Sequence, residues 1–240
     1  MKCRVCGSNQ TTFYCHAPET IPGNLYVGGD APKQQVWFRC LECRSSTSDT
    51  QIEDALVSYD DANLTGVLHR EFAGDRDRLT DSMTNNFNWF MKYPSPDTKF
   101  LDIGCNEGCG MDGMQSRGWD CYGFDINKSA ERAGKVVTAP AFNAMLFPER
   151  FGAVMIREVI EHVENWQSLL KEAFNALLPG GLLQVQTPRP SASGEPIVYQ
   201  FQHLQIFSVR MLQLECLKAG FELLASEIWH IGQLHMARKP

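Results

Sequence analysis

No apolar run in this chain of 240 residues reaches the roughly 18 needed for a membrane-spanning helix. The opening stretch, MKCRVCGSNQ, holds no apolar leader core either, so a soluble, cytoplasmic protein with no membrane partner is expected. An excess of basic residues is also missing: 22 Lys and Arg face 28 Asp and Glu, a net charge of −6. Neutralising a phosphate backbone needs concentrated cations, so nucleic acid is not favoured as a partner, although a local basic groove is not excluded. Internal repeats and low-complexity tracts are absent. With 43% hydrophobic and 21% charged residues, a core can be built, which excludes wholesale disorder and collagen-like classes. The length suits one large domain, or one domain with a small module. What the chain does have is cysteine, nine in all. Where thiols stay reduced, closely paired cysteines point to metal before disulfide.

Cys3-x-x-Cys6 opens the chain and Cys40-x-x-Cys43 follows a turn-rich loop. Four thiolates suit tetrahedral zinc, and each short knuckle brings two sulfurs to one ion. Gly7 follows the first pair, where a knuckle needs a residue tolerant of positive φ. Residues 35–39, QVWFR, read as a strand returning the chain to the site. Cys15 or His16 could replace one ligand, but the two pairs already complete four. A redox CxxC needs a helix start in a βαβ setting, which is lacking here. The spacing therefore predicts structural zinc and says nothing of a partner.

Arg44 to Thr50 is polar and reads as a linker, and residues 51 to about 93 look helical. Beyond Tyr93-Pro94-Ser95-Pro96 the chain alternates. Strands are expected at 99–103, 120–124, 153–156 and 182–186, then a final pair at 221–228 and 233–238. Helices are expected over 165–178, stopped by Pro179-Gly180-Gly181, and over 208–219, with Ser208 as N-cap and Gly220 past the end. The pattern predicts an α/β fold, a doubly wound and mostly parallel sheet with its ligand at the C-terminal strand edges. The expected organisation is a zinc-binding module over 1–48, a helical cap over 49–96 and the α/β domain over 97–240.

The segment Phe100-Leu101-Asp102-Ile103-Gly104-Cys105-Asn106-Glu107-Gly108-Cys109-Gly110 is the most informative. A strand delivers Asp102, small residues let backbone approach a ligand, and a helix begins. At the end of the next strand, Asp125 can accept hydrogen bonds from both hydroxyls of a ribose. Asn106 stands where the dinucleotide fingerprint has its second glycine, which favours a nucleoside ligand without a pyrophosphate.

DIGCNEGCG followed by GFDI resembles motifs I and II of class I S-adenosylmethionine-dependent methyltransferases. FGAVMIREVIEHVENWQSLLKEAFNALLPGGLLQVQTP is similar to that family's fourth strand, following helix and fifth strand, and HLQIFSVRMLQLECLKAGFELL to a later segment. The likeness covers about residues 97–240. Cysteine knuckles ahead of such a domain resemble a bacterial subgroup in sugar and natural-product pathways. Asn106 and Gly152 depart from the usual glycine and aspartate. The resemblance implies a Rossmann-like sheet of seven strands with S-adenosylmethionine as cofactor. Asp102, Gly104, Cys105, Asn106 and Gly108 would frame its methionine half, and Asp125 would hold the ribose. Ile126, Phe142 and Asn143 would meet adenine, while Arg157 would face the sulfur end.

Methyl transfer needs an aligned nucleophile and, for a hydroxyl, a group to take its proton. Glu158, Glu161 and His162 lie beside the expected methyl, with spacing that lets them share a helical face. His203 arrives from the segment after the fifth strand. These four resemble the ExxEH site of metal-using O-methyltransferases of ubiquinone biosynthesis and small-RNA 3′-end families, which implies Mg²⁺ or Mn²⁺. A metal-free role for His162 or His203 as general base is the other reading, and packing a third. The stretch 187–206 is long enough for a lid, and His69-Arg70-Glu71 with Arg76 and Arg78 could meet an anionic substrate. The expected activity is methylation of a sugar, nucleotide-sugar or natural-product hydroxyl. RNA docked through the zinc module and a non-catalytic cofactor-binding protein are the alternatives.

Overall fold

The structure is a computed structural model that describes residues 1–16, 35–50, 83–130, 135–191 and 203–240. Two sheets organise it. The smaller is built from β1 (Thr11–His16), β2 (Val36–Cys40) and β3 (Ser46–Ser48) in antiparallel order. The helix α1 (Thr84–Met91) then leads into the larger sheet. Its core strands are β4 (Lys99–Ile103), β5 (Asp120–Asp125), β6 (Val136–Thr138), β7 (Phe151–Arg157) and β8 (Leu177–Pro188). Between them run α2 (Cys109–Gln115) and α3 (Trp166–Ala176). A two-residue strand β9 (Gln205–Ile206), α4 (Val209–Lys218) and the hairpin β10 (Glu222–Ile228) and β11 (Gly232–Arg238) complete the chain.

The large sheet has the order β10-β11-β8-β7-β4-β5-β6. β4 to β8 are parallel, and β11 closes antiparallel on β8. Both faces are covered, so its central strands read as apolar runs. Alternation still assigns each side chain to a layer. Leu101, Ile103, Val154 and Ile156 pack toward α3 and α4, whereas Phe100, Ala153 and Met155 join Phe87, Phe90 and Met114 on the opposite face. Asp102 and Arg157 follow the second parity and therefore share a face.

Helix ends follow from the sequence. Ser208 accepts from the Met211 amide as N-cap of α4, and Gly220 takes φ 104° beyond its end. Gly152, where the family pattern has aspartate, has a packing reason: a Cβ there would lie 2.0 Å from the Asp97 carbonyl oxygen. β8 begins at Leu177, so Pro179-Gly180-Gly181 lies within the strand rather than before it. β1, β3, β6 and β9 carry too little apolar alternation to read as strands.

The smaller sheet does not end with β3. β9, from the far side of the α/β domain, adds antiparallel to β3, with Ser46 opposite Ile206 and Thr47 opposite Gln205. Cys3, Val5 and Cys40 also belong to the same apolar core as Trp166, Phe207 and Leu212. The cysteine-bearing segment is thus packed into the large domain. The expected helix beyond residue 51 lies outside the described residues up to 82, where α1 follows.

Candidate active site

The turn after β4 is shaped by three left-handed residues. Gly104 and Gly108 have φ of 82° and 81°, and a Cβ at Gly104 would meet Val159 Cγ2 at 2.2 Å. Asn106 has φ 45°. Asparagine is among the non-glycine residues that best tolerate this region, which explains how it replaces the usual glycine. The Asn106 amide donates to Asp125 Oδ2 at 2.8 Å and the Asn127 amide to Oδ1 at 2.8 Å. The carboxylate is thereby fixed at the strand end with lone pairs left for ligand hydroxyls. Beside it Ile126 is 42% exposed, an apolar surface open to a base. Phe142 packs edge-on against Phe124, and Asn143 caps the following turn by accepting from the Met145 amide. These features fit a nucleoside cofactor.

Asp102 is buried beneath the turn. Burial pushes its carboxyl up to about 7, opposed by the Arg157 guanidinium and reinforced by Asp125. Arg157 Nε is itself buried with no hydrogen-bond partner among the described residues. The pair sets a cation and a titratable acid side by side at the C-terminal end of the sheet.

The ExxEH segment is not a regular helix. Glu158 takes φ 52°, a strained value for a side chain with a Cβ, and Ile160–His162 form a single 3-10 turn. The turn is held by the Gln205 side-chain amide, which donates to the carbonyls of Ile160, Glu161 and Val163 at 3.0–3.2 Å. Glu161, His162 and His203 each place a ligand atom within 4.8 Å of the other two. The imidazoles of His162 and His203 meet edge-on at 4.7 Å. Glu161 is fully buried; Thr187 Oγ1 donates to its Oε2 at 2.9 Å, while Oε1 has no hydrogen-bond partner among the described residues. Burial, with the neighbouring Glu158 carboxylate, pushes its pKa well up. Glu161 Oε1, 3.9 Å from His162 Nε2, and the two imidazoles are of donor types that could hold a divalent cation. Glu158 neighbours Glu161 but is not one of the three converging groups; it is exposed and accepts from Gln186 Nε2 at 3.0 Å.

Behind Glu158 runs a connection the sequence did not reveal. Asn86 of α1 donates to Gln184 and Gln186 at 2.7 and 2.6 Å, and Gln184 returns a bond to the Asn86 carbonyl at 2.9 Å. The available signal was the QVQT of β8: amides alternating within a strand buried on both faces require partners.

The four cysteines predicted as ligands converge. Cys3, Cys6, Cys40 and Cys43 sulfurs lie within 4.8 Å of one another, with 3.7 Å from Cys3 to Cys43 and 3.6 Å from Cys6 to Cys40. A tetrahedral ion at about 2.3 Å from each sulfur needs S···S edges of roughly 3.8 Å. A hydrogen bond from Cys3 chiefly, against burial and aided by Ser45, brings Cys43 down to about 5. Cys15 and His16 are not part of this group. Among the other histidines, His235 is buried between Ser226 and Gln233, burial pushing it down to about 4, and His230 is exposed. His69, Arg70, Glu71, Arg76 and Arg78 lie outside the described residues, as does most of the expected lid. That stretch starts inside β8, and Ser191 is buried, its carbonyl accepting from Tyr14 and Arg39.

A doubly wound sheet, a glycine turn at the end of its central strand and a carboxylate at the end of the next define the class: an α/β nucleoside-binding domain of the S-adenosylmethionine-dependent methyltransferase type. A family model described as Methyltransferase domain matches residues 72–226, more than half of the chain, and the chain belongs to that family. The ubiquinone biosynthesis O-methyltransferase of Azoarcus sp. (strain BH72) is 28% identical over 101 residues, 37% of this chain and 43% of that protein. The chain thus spans less than half the length of this curated relative. A SAM-dependent methyltransferase from Archaeoglobus fulgidus superposes with a TM-score of 0.57 at 17% identity, over 72% of this chain and 98% of that one. The 1,6-didemethyltoxoflavin-N1-methyltransferase of Burkholderia thailandensis gives 0.56 at 15% identity, over 83% and 97%. At such identities these likenesses are of fold. No helix among the described residues is long and apolar enough to cross a membrane.

Proposed function

We propose that the protein methylates a hydroxyl of a small molecule, of sugar, nucleotide-sugar or natural-product class, with S-adenosylmethionine as donor. The observation that carries this reading is the convergence of Glu161, His162 and His203 at the end of β7, beside the cofactor turn. The name of the curated relatives supports oxygen as acceptor, and the chain's acidity supports a small substrate. When bound, the cofactor supplies an electrophilic methyl group on a sulfonium sulfur. Asp125 fixes the ribose hydroxyls and Ile126 covers one face of adenine. Asp102 would frame the methionine half, and Arg157 would face its sulfur end. His203 or His162 would take the acceptor hydroxyl's proton while the methyl passes from sulfur to the acceptor oxygen, the methyl–sulfur electron pair staying on the departing S-adenosylhomocysteine. In the alternative reading, a divalent ion such as Mg²⁺ or Mn²⁺ held by Glu161, His162 and His203, with Glu158 nearby, would lower the pKa of that hydroxyl in place of a histidine base. The four cysteines hold a structural zinc, a reading supported by their sulfur spacing.

The test is a transfer screen with labelled cofactor against sugars, nucleotide sugars, phenols and short RNAs. We expect label in a hydroxyl-bearing small molecule, at least about 100-fold slower in His203→Ala and His162→Ala, the usual scale for a lost acid-base group. Label entering RNA alone would overturn the substrate class. Full activity of both histidine variants would dismiss the base and the cation together.

A further inference from the structure

Among the buried polar contacts, those that join the cysteine-bearing sheet to the catalytic segment have no role in the reading above. Gln35, ahead of β2, is buried, and its Nε2 donates to the His203 carbonyl at 3.2 Å and to Thr50 Oγ1 at 2.5 Å. Its Oε1 accepts from the Trp37 indole at 2.9 Å, so the amide is oriented from both ends. Ser48, at the end of β3, directs its hydroxyl to the carbonyls of His203 and Leu204 at 3.0 and 3.2 Å, and its amide to Leu204 at 3.1 Å. The Leu204 amide in turn donates to the Glu161 carbonyl at 2.9 Å. The next residue, Gln205, pairs with Thr47 across the β3–β9 ladder and clamps the turn that carries Glu161 and His162. Segment 203–206 is therefore held on one side by the module and on the other by the ExxEH turn.

A two-residue strand cannot order itself, since fixing each backbone costs about 1–2 kcal/mol and the strand offers few bonds in return. β9 is ordered by β3 and by the polar side chains on it, and the His203 backbone is ordered with β9. The imidazole's position relative to Glu161 and His162 thus depends on contacts made by residues before the α/β domain begins. The zinc-binding knuckles sit on the same sheet: Cys40 ends β2, and Ser208 accepts the module by donating from its hydroxyl to the Cys43 carbonyl at 2.6 Å.

We propose that Gln35 and Ser48 are positioning residues for His203, so that the cysteine-bearing module is a built part of the active site. The inference rests on the reading that His203 works at this site, and its test separates the two. Diethyl pyrocarbonate modifies neutral imidazoles that solvent reaches, and peptide mass spectrometry assigns the modified histidine. His203 is 4% exposed and His235 1%, so both are protected in the native protein. His235 lies on β11 of the large sheet, makes none of these contacts itself and reaches the end of β9 only through Gln233 and the Phe207 carbonyl, so it reports wider opening. Ser48→Ala removes one oxygen and leaves the ladder intact, so folding is safe. We expect His203 to react about fivefold faster in Ser48→Ala, the scale of one lost hydrogen bond, and faster still with Gln35→Ala added. His235 stays protected, and Ser48→Thr restores the native rate. Turnover falls with His203 reactivity, while S-adenosylmethionine affinity measured by calorimetry is unchanged.

An unchanged His203 rate in the double variant would overturn the proposal. So would His203 and His235 opening together, which would mean that the module only supports the fold. A reactive His203 with undiminished turnover would instead remove the catalytic reading of His203, and the role proposed here with it.

Discussion

Two side chains at the site, Asn106 and Glu158, lie in the left-handed region that glycine favours. They are there for different reasons. Asn106 tolerates the region and donates its amide to Asp125, so Asn106→Gly should change stability by less than about 1 kcal/mol, whereas Asn106→Val should cost at least 1–2 kcal/mol in urea unfolding. Asp125 carries the cofactor claim most directly. Asp125→Ala removes charge-assisted bonds to two ribose hydroxyls and should weaken S-adenosylmethionine at least about 100-fold by calorimetry, at roughly 1.5–3 kcal/mol each. Asp102 yields a pH prediction. Folding raises its pKa from 3.8 to about 7, so between these values the native state holds more protons than the unfolded chain. Stability from this group therefore falls as pH rises through that window, and the loss is complete above about 7. In cofactor-free thermal scans, the Tm of Asp102→Asn relative to wild type should rise by several degrees from pH 5 to pH 8. A unit of pKa is about 1.4 kcal/mol, and 1 kcal/mol is about 2–4 °C for a domain of this size. A gap independent of pH would show that Asp102 is not ionising in that range.

At the scale of elements, the connection from α1 through β8 to Glu158 shows how a helix outside the sheet reaches the site. Asn86 supplies both donors that Gln184 and Gln186 accept, and Gln186 holds the Glu158 carboxylate. Asn86→Leu leaves the buried Gln184 acceptor and the half-buried Gln186 acceptor unpaired and should cost about 1–3 kcal/mol in denaturant unfolding, the scale of one buried unsatisfied group. Much of this scale was legible in advance. The strands and helices from β4 onward announce themselves by apolar runs, by the Ser208 cap and by glycine punctuation. β3 and β9 do not, because Ser46-Thr47-Ser48 is polar throughout and Gln205-Ile206 is too short for any period. β3 is a strand by pairing with β2 and β9, and β9 by pairing with β3. The ExxEH spacing suggested a helical face, but Glu158 takes a left-handed conformation and the rest is a single 3-10 turn, so Glu161 and His162 are the two that converge with His203.

For the whole molecule, the consequence is that, among the described residues, the apolar side chains of the module pack in clusters shared with the α/β domain. Cys3, Val5 and Cys40 share the apolar core under α3 and α4, and Trp166 meets Phe207 edge-on at 5.0 Å beside it. Metal analysis should find about one zinc per chain, lost in Cys40→Ser, the four-thiolate stoichiometry of structural sites. Calorimetric unfolding should show one cooperative transition that shifts down when zinc is removed. Two separate transitions would mean that the module folds independently.

The sequence by itself determined what depends on neighbours in the chain: two cysteine knuckles, a turn that cradles a nucleoside, an acid at the end of the following strand, and the alternation that makes a doubly wound sheet. These are local because each rests on a backbone geometry or a spacing of a few residues. The tertiary structure alone decided which distant groups meet. It joined Glu158 to Asn86 through Gln186, and the knuckle sheet to β9. Hydrogen bonds between residues far apart in the chain leave no periodic trace in it, since any polar residue can supply them and only the folded backbone selects the partner.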